Sequence, residues 1–258
     1  MIISPNRHFV FVHVHKCAGT SIEMALSSRL TVNDLVIGST EDGERNKSFF
    51  SQCIRLKKHS SAQDAQQILG ESLWKTYFTF GFVREPVDRL RSLHSYALGL
   101  ASRSPLTEAE RQALSSSGKL PNRAPYKFKA VQSAVTSKDF DAFLRNPLTW
   151  QDAGAKPQWQ SLCDTDGGLI VDFVGKVEHM DRDWPKVQKR LNLDVTLGTE
   201  NRSSATSKSS PDLSPEAWKQ LRKHCLRDYR IFKYPVPAPI QALVSAKPGH
   251  ALPEPINR

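Results

Sequence analysis

Three short segments hold the residues whose types and spacing could do chemistry. The first is Lys16-Cys17-Ala18-Gly19-Thr20-Ser21, which joins an apolar run, HFVFVHV over 8–14, to a helical pattern, SIEMALSSRL over 21–30. A strand that passes through such a loop into a helix is suited to an anion. The first N–H groups of a helix have no intrahelical acceptor, and the helix dipole adds positive charge at that end. Gly19 lets the backbone approach a ligand closely. Thr20 and Ser21 bring hydroxyl donors, and Lys16 brings a movable charge. The alternative is an ordinary turn capped by Thr20 or Ser21, with Lys16 in water. The loop is not G-x-x-x-x-G-K-[ST], because Lys16 precedes its only glycine by three positions. A small-molecule kinase using Mg-ATP is therefore the weaker of two phosphate-handling readings.

The second segment follows another apolar run, YFTFGFV over 77–83, and begins Arg84-Glu85-Pro86. Ligands of open α/β sheets bind outside the carboxyl ends of the strands. Parallel strands would thus bring Arg84 to the same sheet edge as Lys16. Ser92 lies eight residues further on, two turns into the helical pattern PVDRLRSLHSYALGL. An arginine fork and a hydroxyl suit a terminal phosphate. Pairing of Arg84 with Glu85 or Asp88 is the structural alternative. The third segment is RLKKHSSAQD, where His59 precedes a helical pattern. Histidine is the natural proton acceptor near neutral pH. His59 is therefore a candidate general base, or else a solvated residue of a basic loop, with Glu23 and His15 next in line. His13 reads as a core or supporting residue and His94 as packing.

The elements that must position these residues follow from the pattern. Residues 8–14 and 77–83 read as buried strands, each entering a helix. Pro86 suits the first position of its helix. A helix over AQDAQQILGESLW lies between, and one or two weak strands fall in 31–58. Residues 158–176 read as two strands of a hairpin about Asp166-Gly167-Gly168. Amphipathic helices are expected near 179–192 and 214–230, with a polar stretch, TENRSSATSKSS, between them. Strand alternating with helix predicts an α/β fold with a central parallel sheet flanked by helices. The reading is one domain over 1–258, ending in a Pro- and Ala-rich tail over 235–258.

Composition narrows the classes. The 258 residues carry 36 Lys+Arg against 26 Asp+Glu, a net charge of +10, which favours an anionic partner. No apolar run is long enough for a membrane span, and no secretory leader is evident. The four cysteines show no zinc-ligand spacing, so no metal is expected and a reducing cytoplasm is the natural location. No DNA- or RNA-reading motif is present, which argues against a nucleic-acid partner, although a non-catalytic binder of polyanions stays as an alternative.

Together these segments resemble the sulfotransferases of the carbohydrate O-sulfotransferase branch (sulfotransferase family 2). FVHVHKCAGTS (11–21) is similar to that branch's H-x-P-K-T-[AG]-G-T-S loop, and FGFVREPVDRLRSLHSY (80–96) to its F-x-F-V-R-x-P-x-x-R-x-x-S segment. VDFVGKVEHMDRDW (171–184) is a looser match to D-F-[IV]-G-[RK]-x-E-x-[LM]. His15 stands where the pattern has proline, and Cys17 where it often has threonine.

The resemblance implies a P-loop-like, three-layer fold and a metal-independent reaction. In it the sulfuryl group of 3′-phosphoadenosine 5′-phosphosulfate (PAPS) passes to a hydroxyl of an acceptor, a glycan or a small molecule. Lys16, Cys17, Ala18, Gly19, Thr20 and Ser21 would hold the 5′-phosphosulfate, with Lys16 catalytic, and Arg84 and Ser92 the 3′-phosphate. The context of His59 is similar to the family's G-H-x-x segment, where the base is often found. Asn201-Arg202-Ser203 opens the polar stretch that could close over the nucleotide, bringing Arg202 to it. The acid-free segment from Arg111 to Lys138 interleaves cations with Tyr126 and Phe128. Arg123, Lys127 and Lys129 are its candidate acceptor contacts.

Overall fold

The computed structural model describes residues 1–198 and 212–245. Among these residues five strands are present: β1 (Ile2–Ser4), β2 (Phe9–Val12), β3 (Leu35–Val36), β4 (Phe78–Val83) and β5 (Phe173–Lys176). Eight helices carry the description. In chain order they are α1 (Gly19–Ser27), α2 (Ala62–Leu69), α3 (Pro86–Ser102), α4 (Glu108–Ser117), α5 (Lys129–Thr136), α6 (Phe140–Arg145), α7 (Met180–Leu191) and α8 (Pro215–Ile231). Among the described residues no helix is long and apolar enough to cross a membrane.

The described residues group into two compact units. One holds 1–85 and 158–198; the other holds 86–157 and 212–245. The first contains the whole sheet, in the order β3-β1-β2-β4-β5. Strands β2, β4 and β5 are parallel, with Val12 opposite Gly81 and Gly81 opposite Val174. β1 runs antiparallel to both β2 and β3. The sheet of this α/β fold is therefore mixed: its β2-β4-β5 part is parallel, as expected, and β1 adds antiparallel pairings beside it. The hairpin expected over 158–176 is replaced. Trp159–Leu162 is a helical turn, Cys163 and Leu169 share one isolated antiparallel bridge, and β5 pairs with β4 instead.

The apolar runs explain the parallel centre. All of β2 is buried, as expected of a strand covered on both faces. Phe9, Phe11, Phe80 and Phe82 point to one face, where Ile22 and Leu26 of α1 and Trp184 and Val187 of α7 meet them. The Phe11 and Phe80 rings are 5.2 Å apart. Gly81 presents no side chain at the sheet centre. A Cβ there would lie 2.6 Å from Leu162, so the missing side chain lets the 159–162 turn lie against the strand.

The second unit is built on helices. α3 packs on α5, and α8 packs on α6. Arg89, fully buried, donates to the carbonyls of Gly154, Ala155 and Lys156. Asp152 accepts from the Ala130 amide in the first turn of α5, and Asp141 accepts from the Ser214 amide and hydroxyl before α8. His94 packs on Phe140 and Phe143.

Candidate active site

The phosphate-type loop spans the step from β2 to α1. Lys16 and Ala18 both take left-handed backbone conformations, at φ 62° and 60°. Such strain in non-glycine residues costs about 1–3 kcal/mol each and concentrates at functional sites. Ala18 is the N-cap of α1, and no side chain caps the helix. The amides of Gly19, Thr20 and Ser21 thus lie at an uncapped helix start. Gly19 has a reason that the sequence did not reveal. It is not in the left-handed region; a Cβ at this position would overlap the His13 ring. Gly19→Ala is accordingly expected to force His13 or α1 aside at a cost of about 1–3 kcal/mol. A lowered melting temperature would show this, and an unchanged one would count against it.

Arg84 follows β4, one strand over. Its charge reaches Lys16: burial first, then the Arg84 guanidinium, push the Lys16 ammonium down to about 8. Lys58 adds a smaller push in the same direction. The two sequence-predicted cations therefore meet at the carboxyl ends of adjacent parallel strands.

The backbone at Arg84 is held by residues distant in sequence. The fully buried Gln158 accepts from the Arg84 amide at 2.8 Å through Oε1 and donates to the Arg84 carbonyl at 2.8 Å through Nε2. The same Oε1 accepts from the Cys17 thiol at 3.2 Å. One carboxamide thus ties the first loop to the second. Glu178 adds a bond from the Glu85 amide at 2.6 Å. Other residues of 171–184 do related work. Asp172 accepts from the Thr79 amide and hydroxyl, and Asp183 accepts from the Lys176 amide. Gly175 leaves room for the Phe82 ring.

Three histidines converge beside the first loop. His59 Nδ1 lies 2.9 Å from the His13 carbonyl. A carbonyl can only accept, so Nδ1 carries the proton and Nε2 keeps its lone pair. His15 stacks on His59 with centroids 3.5 Å apart, and the His13 ring stands edge-on at 4.5 Å. Burial, then the neighbouring His13 and His15, push His59 down to about 2, so its imidazole is neutral. Burial likewise lowers His13 to about 4, while its Nδ1 lies 2.9 Å from Glu23 Oε1. Burial works to raise Glu23, but His13 and the Met1 amino group outweigh it and hold the carboxyl below its usual range. That carboxylate supports His13 and is itself fully buried.

The remaining sequence-predicted residues are placed as follows. Ser92 lies on α3, in the second unit. Arg202 lies outside the described residues. Arg123 is a structural tie. Its guanidinium bonds to Glu110 through two 2.8 Å bonds, to Ser104 and to the Pro105 carbonyl. Lys127 and Lys129 are exposed, and Lys127 lies over the Phe128 ring.

Next to the loop, a cavity of about 550 Å³ opens between α1 and residues 194–198, lined by Thr20, Ser21, Met24, Arg29, Asp194 and Val195 among others. Cavities of this size admit a ligand as large as a nucleotide. No curated protein and no solved structure matches the chain. The model of the family described as "Sulfotransferase family" matches residues 1–235, spanning both loops, the His59 segment and the 171–184 segment. This chain belongs to the sulfotransferase family.

Proposed function

We propose that this sulfotransferase takes its sulfuryl group from PAPS and passes it to a hydroxyl, with a carbohydrate or glycoconjugate as acceptor, on a P-loop-like α/β scaffold. The observation that carries this reading is the meeting of Lys16 and Arg84 at neighbouring strand ends, beside an uncapped helix start and a neutral histidine. The residues suit the donor's chemistry. Uncapped amides and hydroxyls at 19–21 match a phosphosulfate, the two cations match its further charge, and the adjoining cavity suits an adenosine.

The donor supplies a sulfuryl group whose bond to the bridging phosphate oxygen breaks as the acceptor oxygen bonds to sulfur. Lys16 would neutralise charge arising on that phosphate. His59 Nε2 would take the hydroxyl proton. Its low basicity in the ligand-free protein comes first from burial and then from the neighbouring His13 and His15, and a bound polyanion would raise it. Arg84, and with it Ser92 and Arg202, would bind the 3′-phosphate. Exposed Lys127 and Lys129 are the proposed contacts to an acidic acceptor.

The direct test is incubation with 35S-labelled PAPS and a panel of glycans, lipids and small alcohols, without added metal. Label transferred to an acceptor is expected; a reaction that proceeds only with Mg-ATP would defeat the reading. A binding test needs no acceptor. Lys16 must be protonated to attract an anion, and it sits at about 8 when the site is empty of ligand charge. Affinity for 3′-phosphoadenosine 5′-phosphate (PAP) should be level from about pH 7 to 8. Above that range, affinity should fall by up to tenfold per pH unit, because binding must then draw a proton onto Lys16. The ligand's phosphates are already fully ionised there, their second ionisation lying near about 6. Calorimetry from pH 7 to 9.5 would reveal the slope, and constant affinity would remove Lys16 from the contact.

A further inference from the structure

We propose that His15 is a positioning residue for His59, holding the plane of that ring by stacking so that Nε2 stays available to accept a proton. The inference rests on His59 acting as the base and concerns what makes it competent. Two restraints act on the His59 ring, and they are not redundant. The bond from Nδ1 to the His13 carbonyl chooses between the two edge orientations of the ring and fixes the tautomer. A single hydrogen bond still lets the ring tilt. The flat contact with His15, at 3.5 Å and 24° between planes, removes that tilt. The His13 ring stands edge-on to it as well, at 4.5 Å and 72°.

Position 15 fits this task. It is the last residue before Lys16, whose left-handed backbone turns the chain into the phosphate-type loop. A ring at 15 therefore links the placement of the base to the placement of the cation. Proline, which the matching loop pattern carries here, has no aromatic face to offer.

The test compares His15→Ala and His15→Phe with the parent protein. Long-range 15N–1H spectra of the histidine rings report the His59 tautomer without any substrate. The parent should show a single Nδ1–H form. In His15→Ala the His59 ring is free to tilt off the His13 carbonyl, which should loosen the Nδ1 bond and show as exchange between tautomers, with a turnover loss of about tenfold to a hundredfold with the panel's acceptor. His15→Phe should restore both, since it keeps the flat face without the ring nitrogens. PAP affinity should be equal in all three.

An unaltered tautomer and turnover in His15→Ala would overturn the proposal. So would weakened PAP binding, which would assign His15 to the phosphate-type loop instead. Should His15→Ala fail to fold, a mixed tautomer or impaired turnover in His15→Phe would overturn it as well. The underlying reading fails separately: His59→Ala with undiminished turnover would remove the base itself, whatever the spectra show.

Discussion

Lys16→Met is expected to lower turnover about 10²–10³-fold, the usual effect of removing one preorganised donor from developing charge. The same change should raise the stability of the ligand-free protein near neutral pH. The opposite signs share one cause. Burial and the Arg84 charge depress the Lys16 ammonium from 10.5 to about 8, so the folded state disfavours the charged form. Below pH 8 the group is charged in both folded and unfolded chains, and this penalty is fully present. It is relieved as pH rises through 8 towards the unfolded value. Methionine keeps most of the stem and discards the charge, removing the penalty along with the function. Such a trade is expected where a site is organised for a ligand and not for its own stability. Thermal unfolding at pH 7 and initial rates on one preparation would check both halves. Loss of turnover with a lowered melting temperature would mean that Lys16 is structural, and near-normal turnover would end its catalytic role.

The parts of the fold that could be read from sequence are those whose signals are local. The runs at 8–14 and 77–83 are apolar on both faces, which is the pattern of central parallel strands, and they became β2 and β4. α3 and α8 carry proline at their starts, α8 with a serine cap before it, and α7 is marked by its apolar stripe. β1 escaped because three residues are too few to show alternation, and its pairing with β2 is antiparallel. The 158–176 segment misled because its turn is real. Asp164 gathers the amides of Asp166, Gly167 and Gly168, but only one bridge forms across it. Phe173–Lys176 is bound to β4 instead, a partner that no local pattern reveals.

The site divides in the same way. Lys16 and Arg84 could be named as candidates because they follow apolar runs, and His59 because an imidazole precedes a helical pattern. Their supports could not. Glu23 reads only as a reserve candidate for the base, yet it lies fully buried against His13. Arg123 reads as a free cation in an acid-free run. Its carboxylate partner, Glu110, lies just before that run begins and swings back to it. A charge census along the chain cannot detect a pair that only a turn brings together.

Gln158 is the support on which most depends, and Gln158→Leu is expected to weaken both fold and ligand binding. Its carboxamide satisfies the Arg84 amide and carbonyl and receives the Cys17 thiol. Leucine has similar size, so little cavity is created, but it strips those groups of three hydrogen bonds. Losing a buried partner costs about 1–3 kcal/mol per group. Arg84 is only half-buried, so water would recover part of this, leaving about 2–4 kcal/mol. The melting temperature should fall by about 5–15 °C. A general loss of packing would lower stability alone. Release of this tie should also let the two cationic loops drift apart, because Lys16 and Arg84 repel each other when no anion lies between them. PAP affinity should therefore fall at temperatures well below unfolding. Saturating PAP should recover much of the lost melting temperature, since a polyanion between the loops substitutes for the missing amide. A variant that is destabilised yet binds PAP with parental affinity would show that Gln158 only fills space. One with an unchanged melting temperature would show that these bonds do not hold the loops.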